Sequence, residues 1–343
     1  MGIKRGVSLY SYQQATWFGT MSWRDQLKEV ATGLNGATGI EIISETTIPN
    51  YPYPSDAFID EWNFEMARWG LTATTYDAFP DPMQFRRDHV MNEAELAERL
   101  KIDLRLAKRM GFQNIRVLGN TIKSVELALP LAEELGISIS QEVHFPSGLR
   151  ANGNPHTEKN IRILEYIEKT GTKYYGFQPD FGIFLKEPAR ITLAYHLRRA
   201  GYEDIEARTD EIIAQFHALD TDRLVVWALD KYKEIFSDYR VVEVLSPASA
   251  VPEDLRMIGP YIKCCHGKFY QMTEIPGEPG HYEERSLDYS GAIAVLKELG
   301  YEGYIDSEYE GQRSYQDQDA ELLADEVEEV RRHHEMMARL IGE

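Results

Sequence analysis

Four short segments of the chain end in residues that could share one metal ion. They are QEVHF (141–145), QPDF (178–181), KCCHG (263–267) and YIDSEYE (304–310). Each closes a strand-like run, and residues two apart on a strand share a face. Glu142 and His144 therefore point the same way, and so do Asp306 and Glu308. Glu142, Asp180, His266 and Glu308 supply three carboxylates and one imidazole, which repel one another in a cavity unless a cation neutralises them. An oxygen-rich set with one nitrogen suits Mn²⁺, Mg²⁺ or Co²⁺, with Zn²⁺ also able to bind. His144, beside this set, is placed either as a general base or as a hydrogen-bond partner of a ligand. Glu142, Glu308 and His144 are thus the catalytic candidates, and Asp306 reads as a residue that steadies a ligand from one layer deeper. Candidates for substrate contact are Tyr10 and Tyr12 of SLYSY, and Lys268 and His281 after the seventh strand. The tyrosines could equally be core, and Glu41 of GIEIIS reads as a buried ion pair or a substrate contact.

The elements that must position these residues follow from a repeated boundary. A charged helical segment ends in Gly and is followed at once by a strand-like run, at Gly33, Gly70, Gly111, Gly136, Gly171 and Gly300. Gly just past a helix supplies the left-handed conformation of the cap. Helix and strand therefore alternate, which predicts a parallel sheet. Eight strands are expected, at about 6–12, 38–44, 71–78, 114–119, 137–145, 174–180, 260–266 and 303–309. Eight such units predict a (β/α)8 barrel, whose strand ends converge on one site. An open doubly wound sheet is disfavoured, because no G-x-G-x-x-G follows the first strand. Gly171 and Gly300 lie 129 residues apart. Two units of about 35 residues leave roughly 60 extra, expected as a helical insertion within 186–250 of a single domain spanning 1–343. It reads as a lid, a partner platform or a packing elaboration. The last helix reads as amphipathic, with Leu323, Val327, Val330, Met337 and Ile341 on its stripe and His333–His334 in solvent.

The 343 residues hold 37 Lys and Arg against 56 Asp and Glu, a net charge of −19. That balance argues against a nucleic-acid backbone or an anionic membrane as partner. At 43% hydrophobic, the chain can build a large core. Cys264 and Cys265 are adjacent and suit neither a disulfide nor a metal pair. No apolar run of signal-peptide or membrane-spanning length is present, so a cytoplasmic protein is expected. The absence of a Gly-rich cradle after strands seven and eight favours an unphosphorylated sugar.

With EVHF, PDFGIF, KCCHGKF and YIDSEYE in view, the chain resembles the xylose isomerase-like superfamily of sugar isomerases and epimerases over essentially the whole barrel. The resemblance implies a divalent ion, commonly Mn²⁺, held by Glu142, Asp180, His266 and Glu308. The superfamily's endonuclease branch has a richer His set and a basic groove, which this chain lacks. The E-V-H at 142–144, the insertion and the length look like the catalytic α subunit of C-glycoside deglycosidases. That implies a 3-oxo-C-glycoside substrate, a small β-sandwich partner subunit and a hetero-oligomer. An enolate formed beside the metal could expel an aglycone or be reprotonated. The sequence therefore leaves a carbon–carbon lyase, a ketose epimerase or aldose–ketose isomerase, and a non-catalytic sugar-binding barrel as alternatives.

Overall fold

The computed structural model describes residues 2–84, 88–236 and 248–343. Eight strands form one sheet: Lys4–Ser8 (β1), Gly39–Ile43 (β2), Thr72–Ala78 (β3), Asn114–Val117 (β4), Ser138–Val143 (β5), Tyr175–Pro179 (β6), Cys265–Phe269 (β7) and Tyr304–Tyr309 (β8). Their order is β6-β5-β4-β3-β2-β1-β8-β7, every pair parallel. Isolated parallel bridges, Phe177 to Ile262 and Asp180 to His266, join the two ends of this order. The result is a nearly closed (β/α)8 barrel, as the helix–strand alternation predicts. Its helices include Trp23–Gly33 (α1), Asp56–Trp69 (α2), Glu93–Arg109 (α3), Ile122–Leu135 (α4), Pro155–Thr170 (α5), Arg190–Arg199 (α6), Ile205–Ala218 (α7), Thr221–Lys231 (α8), Tyr289–Glu298 (α9) and Glu326–Ile341 (α10).

Local chemistry explains the boundaries. Asn92 opens α3 with a reciprocal capping box to Glu95, and Asn154 caps α5 ahead of Pro155. Gly70, Gly136 and Gly171 close α2, α4 and α5 in the left-handed conformation. Gly33 does not: it is the last residue of α1, and Gly36 holds the positive φ. Inside the barrel, Gly6 is required by volume. A Cβ there would collide with Asp306 Oδ1 and lie 2.8 Å from the Gly39 Cα.

Three sequence expectations are corrected. The first strand stops at Ser8, and Leu9–Tyr12 is a single 3₁₀ turn, so Tyr10 and Tyr12 do not alternate as on a strand. The seventh strand is Cys265–Phe269 rather than 260–266, which puts Lys268 inside it. His333 and His334 are buried, not solvated. Ser307 Oγ lies 2.8 Å from His333 Nδ1 and 2.9 Å from His334 Nε2, and His333 Nε2 lies 2.8 Å from the Tyr289 hydroxyl.

The extra helices α6–α8 lie between β6 and β7. They pack a hydrophobic cluster of their own, with Leu193, Leu197, Ile212, Leu224 and Tyr232 at its centre. Residues 237–247 of the expected insertion lie outside the described residues.

Candidate metal centre and substrate cavity

Side chains inside the barrel follow the two-residue period of the strands. Glu142 on β5, Asp180 just past β6, His266 on β7 and Glu308 on β8 all turn inward. One ligand atom from each lies within 4.8 Å of the others, and all four residues are buried. His266 Nδ1 is 2.9 Å from Glu142 Oε1 and 3.5 Å from Glu308 Oε2. The other ring nitrogen, Nε2, is 2.9 Å from Glu41 Oε2, which also accepts from Gln178 Nε2 at 2.8 Å. Glu41 thus binds the far side of the imidazole and aims Nδ1 at the cluster. It is a buried partner of His266, not a group exposed to substrate.

Below the cluster, Arg116 on β4 contacts Asp77 Oδ2 at 2.8 Å and Glu142 Oε2 at 3.4 Å. Asp306, one layer deeper than Glu308, accepts from Thr74 Oγ1 at 2.7 Å and faces Cys264 Sγ at 3.1 Å. Burial pushes its carboxyl up to about 6. Six carboxylates are buried in this interior (Glu41, Asp77, Glu142, Asp180, Asp306 and Glu308) against three basic groups, Arg116, His266 and Lys268. Burial alone would drive the His266 imidazole down, but Glu41, Glu308 and Glu142 outweigh it and hold the ring well above its usual range. Burial would raise Glu142, yet Arg116 and His266 keep it well below the ordinary carboxylate range. Asp180 is raised, because burial dominates there.

A divalent ion fits this donor set. Three carboxylates with a negative surplus face one imidazole nitrogen, and the buried Glu308 Oε2 accepts no hydrogen bond among the described residues. Hard oxygen donors with one nitrogen match Mn²⁺, Mg²⁺, Co²⁺ or Zn²⁺.

Beside the cluster stands the pair His144 and Lys268. His144 Nδ1 is 2.5 Å from the Phe145 carbonyl oxygen, which fixes the proton there and leaves Nε2 as acceptor. Nε2 is 2.9 Å from Lys268 Nζ and 3.7 Å from Asp180 Oδ2. Lys268 is buried, with Nζ 2.6 Å from Asp180 Oδ2 and 3.5 Å from both Glu308 and Glu310. Burial would lower its pKa, but these three carboxylates hold it well above the ordinary lysine range. His144 and Lys268 form the inner wall of a cavity of about 640 Å³. The cavity is also lined by Thr192, Tyr195, His196 and Arg199 of α6, and by Tyr270, Glu310 and Arg313.

The remaining candidates are placed less favourably. Tyr10 is not part of the cavity wall and reaches it through Arg313, whose guanidinium lies 5.4 Å from the tyrosine ring. Tyr12 is fully buried in the core, so it is not a substrate contact. His281 lies in the loop between the short strands Met272–Glu274 and Tyr282–Glu284 and contacts Glu335 of α10 at 2.7 Å. It borders a separate cavity with Arg5 and Gly36, near the start of β1, and does not meet the cluster. Arg116, Asp77, Glu310 and Arg313 escaped the sequence reading. A charged residue inside an otherwise apolar strand, as in NIRV and TATTYDA, is the signal that could have found the first two.

No protein-family model matches the chain. A 3'-dehydrocarminate deglycosidase alpha subunit from Microbacterium is 29% identical, covering 98% of this chain and 95% of that protein. A C-glycoside deglycosidase alpha subunit from Arthrobacter globiformis is 26% identical, covering 100% of this chain and 93% of its own length. Over nearly its whole length the chain is thus similar to C-glycoside deglycosidase alpha subunits. It is an enzyme, and its fold is the xylose isomerase-like barrel. A sugar phosphate isomerase/epimerase from Parabacteroides distasonis superposes with a TM-score of 0.56 at 13% identity, covering 100% of this chain and 95% of that one. The IOLI protein with a bound zinc atom gives a TM-score of 0.55 at 13% identity, over 99% of this chain and 98% of its own. Among the described residues, no helix is long and apolar enough to cross a membrane.

Proposed function

We propose that this chain is the catalytic subunit of a lyase that cleaves the carbon–carbon bond between sugar and aglycone in a 3-oxo-C-glycoside. The observation that carries the reading is the placement of the His144 Nε2 acceptor, at the junction of the buried cluster and the cavity. The kinship to deglycosidase alpha subunits supports the substrate class and a second, non-identical chain, read here as the small β-sandwich partner. Glu142, Asp180, His266 and Glu308 would hold the divalent ion, Mn²⁺ in the first instance. That ion supplies Lewis-acid stabilisation of negative charge on the substrate's oxygens.

The chain's own groups account for the proton. His144 Nε2 takes the hydrogen from the carbon between the ketone and the glycosidic carbon. The C–H electron pair becomes the enolate double bond. The ketone then re-forms as a double bond arises to the glycosidic carbon and the bond to the aglycone breaks. That bond's electron pair leaves with the aglycone carbon, which takes up one proton, so nothing is oxidised or reduced overall. Lys268, an ammonium held by three carboxylates, can donate to a sugar oxygen at the inner end of the cavity. The protonated His144 can return its proton to the departing carbon.

The test is incubation of the Mn²⁺-loaded chain, alone and with any co-purifying subunit, in D₂O with a 3-oxo-C-glycoside or a free ketose. Aglycone release without deuterium entering the ketose is the expected result. Deuterium uptake by the ketose without aglycone release refutes the lyase and establishes an epimerase or isomerase. His144→Ala should retain the metal and lose turnover by at least about 100-fold. Glu142→Gln should lose both.

A further inference from the structure

The helix α6 is fixed across the mouth of the barrel. Arg198 binds Asp317, in the segment after β8, with two N–H donors at 2.9 Å each, and donates to the Ser314 carbonyl at 2.8 Å. Thr192 Oγ1 lies 3.3 Å from Ser314 Oγ. The face this clasp presents to the cavity carries Tyr195 and Arg199, and Arg199 Nη1 donates to the Tyr195 hydroxyl at 3.0 Å. The other lining cations have carboxylate partners: Lys268 has Asp180 at 2.6 Å and Arg313 has Glu310 at 3.2 Å. Glu234, the remaining lining acid, accepts from the Tyr202 hydroxyl at 2.7 Å. Arg199 has no carboxylate within ion-pair distance among the described residues. It is a planar donor, hydrogen-bonded to Tyr195, in a cavity that Tyr270 and Phe145 also line.

We propose that α6 forms the subsite for the leaving group and that Arg199 selects leaving groups bearing a carboxylate. This rests on the lyase reading for the name of the occupant, whereas the anion preference rests on the wall itself. A guanidinium offers paired N–H donors that match a carboxylate, and aromatic rings accept its flat carrier. A phosphate is disfavoured, because one unpaired cation without a Gly-rich backbone cradle is a poor match for two negative charges.

The test measures binding, with turnover kept separate. The full Mn²⁺-loaded chain is titrated calorimetrically with 2-naphthoate and with 2-naphthol, two probes of one ring shape that differ in charge. Wild type should bind naphthoate about tenfold or more tightly than naphthol, a difference expected of a charge-assisted contact. Arg199→Gln should remove that preference and leave naphthol binding unchanged, while Tyr195→Leu should weaken both probes. Equal binding of the two probes by wild type, or a preference that survives Arg199→Gln, overturns the proposal. Displacement of naphthoate by glucose 6-phosphate that depends on Arg199 also overturns it. A wild type that shows the naphthoate preference but releases no aglycone from a 3-oxo-C-glycoside refutes the lyase reading and leaves the anion subsite standing.

Discussion

Replacing Glu41 with Gln isolates a carboxylate that touches no substrate and holds His266 from behind. Glu41 Oε2 accepts from both His266 Nε2 and Gln178 Nε2, while Oε1 has no partner among the described residues. A Gln of the same shape can keep its oxygen in the place of Oε2, but its NH₂ then takes the unpartnered position of Oε1. It also turns the charge-assisted bond to His266 into a neutral one, roughly half as strong. Carboxylates behind a histidine ligand are typically worth about 10–100-fold in metal affinity, which converts to about 1.4–2.8 kcal/mol. The Gln variant keeps the geometry and should fall near tenfold. Glu41→Ala, which frees the ring to turn, should fall near 100-fold. The assay is Mn²⁺ competition against a calibrated chelator on chelator-stripped protein, with melting of the metal-free proteins to confirm that all three are folded. Wild-type affinity in both variants would falsify the claim that Glu41 sets the orientation of His266.

Other perturbations probe the same interior. Gly6→Ala should destabilise the barrel by about 1–3 kcal/mol, because its Cβ meets Asp306 and the Gly39 backbone; an unchanged denaturant midpoint would show that β1 moves aside freely. Lys268→Met leaves Asp180, Glu308 and Glu310 without their shared cation, so it should cost about 3–5 kcal/mol in chelator. Added Mn²⁺ should recover part of that, and a melting curve insensitive to the substitution in chelator would refute the ion-pair role. Burial, then Arg5, lowers His334 from 6.5 to about 3. The unfolded chain therefore binds this proton first, and the contribution is complete above about pH 6.5 and lost as the pH falls toward 3. Its upper limit is about 4–5 kcal/mol. Denaturant titrations from pH 7 to 4 should show His334→Gln with a shallower loss than wild type, and parallel curves would remove His334 as a source of acid sensitivity.

The site was legible in the sequence wherever a two-residue period and a strand end sufficed. Glu142, Asp180, His266 and Glu308 needed only those two rules to be brought together. What stayed hidden depends on cross-strand register. Asp77 sits opposite Arg116, and no local pattern pairs TATTYDA with NIRV. The turn at Leu9–Tyr12 was misread because SLYSY alternates like a strand, whereas the chain there winds into a 3₁₀ turn after Ser8. His333 and His334 lie off the apolar stripe expected for the last helix, yet both are buried. Their burial depends on Ser307 and Tyr289, contributed by β8 and α9. The α6–α8 helices were visible as surplus length between Gly171 and Gly300, but their contact with the segment after β8 rests on Arg198 and Asp317, which are 119 residues apart.

The cavity has two electrostatic regimes, one around Lys268 and one at Arg199. Around Lys268 the carboxylates of Asp180, Glu308 and Glu310 share one ammonium, so an added anion meets repulsion unless a cation stands between. On the α6 side Arg199 offers a positive charge with no carboxylate partner among the described residues. A substrate with a carboxylate at one end and a ketone at the other is therefore asymmetric to this cavity. Inserted backwards, it would leave Arg199 unpaired and press its carboxylate against Asp180 and Glu308. Like charges so placed cost several kcal/mol, so rejection of the reversed pose is as much a part of selectivity as the attractive contact. Under the proposed function, the same asymmetry would bring the carbon next to the ketone toward His144. The proposed chemistry at the strand ends and the proposed selection on α6 thus reside in segments far apart in sequence. Substitutions at Arg199 should redirect which aglycone is accepted without moving the base from the proton it removes.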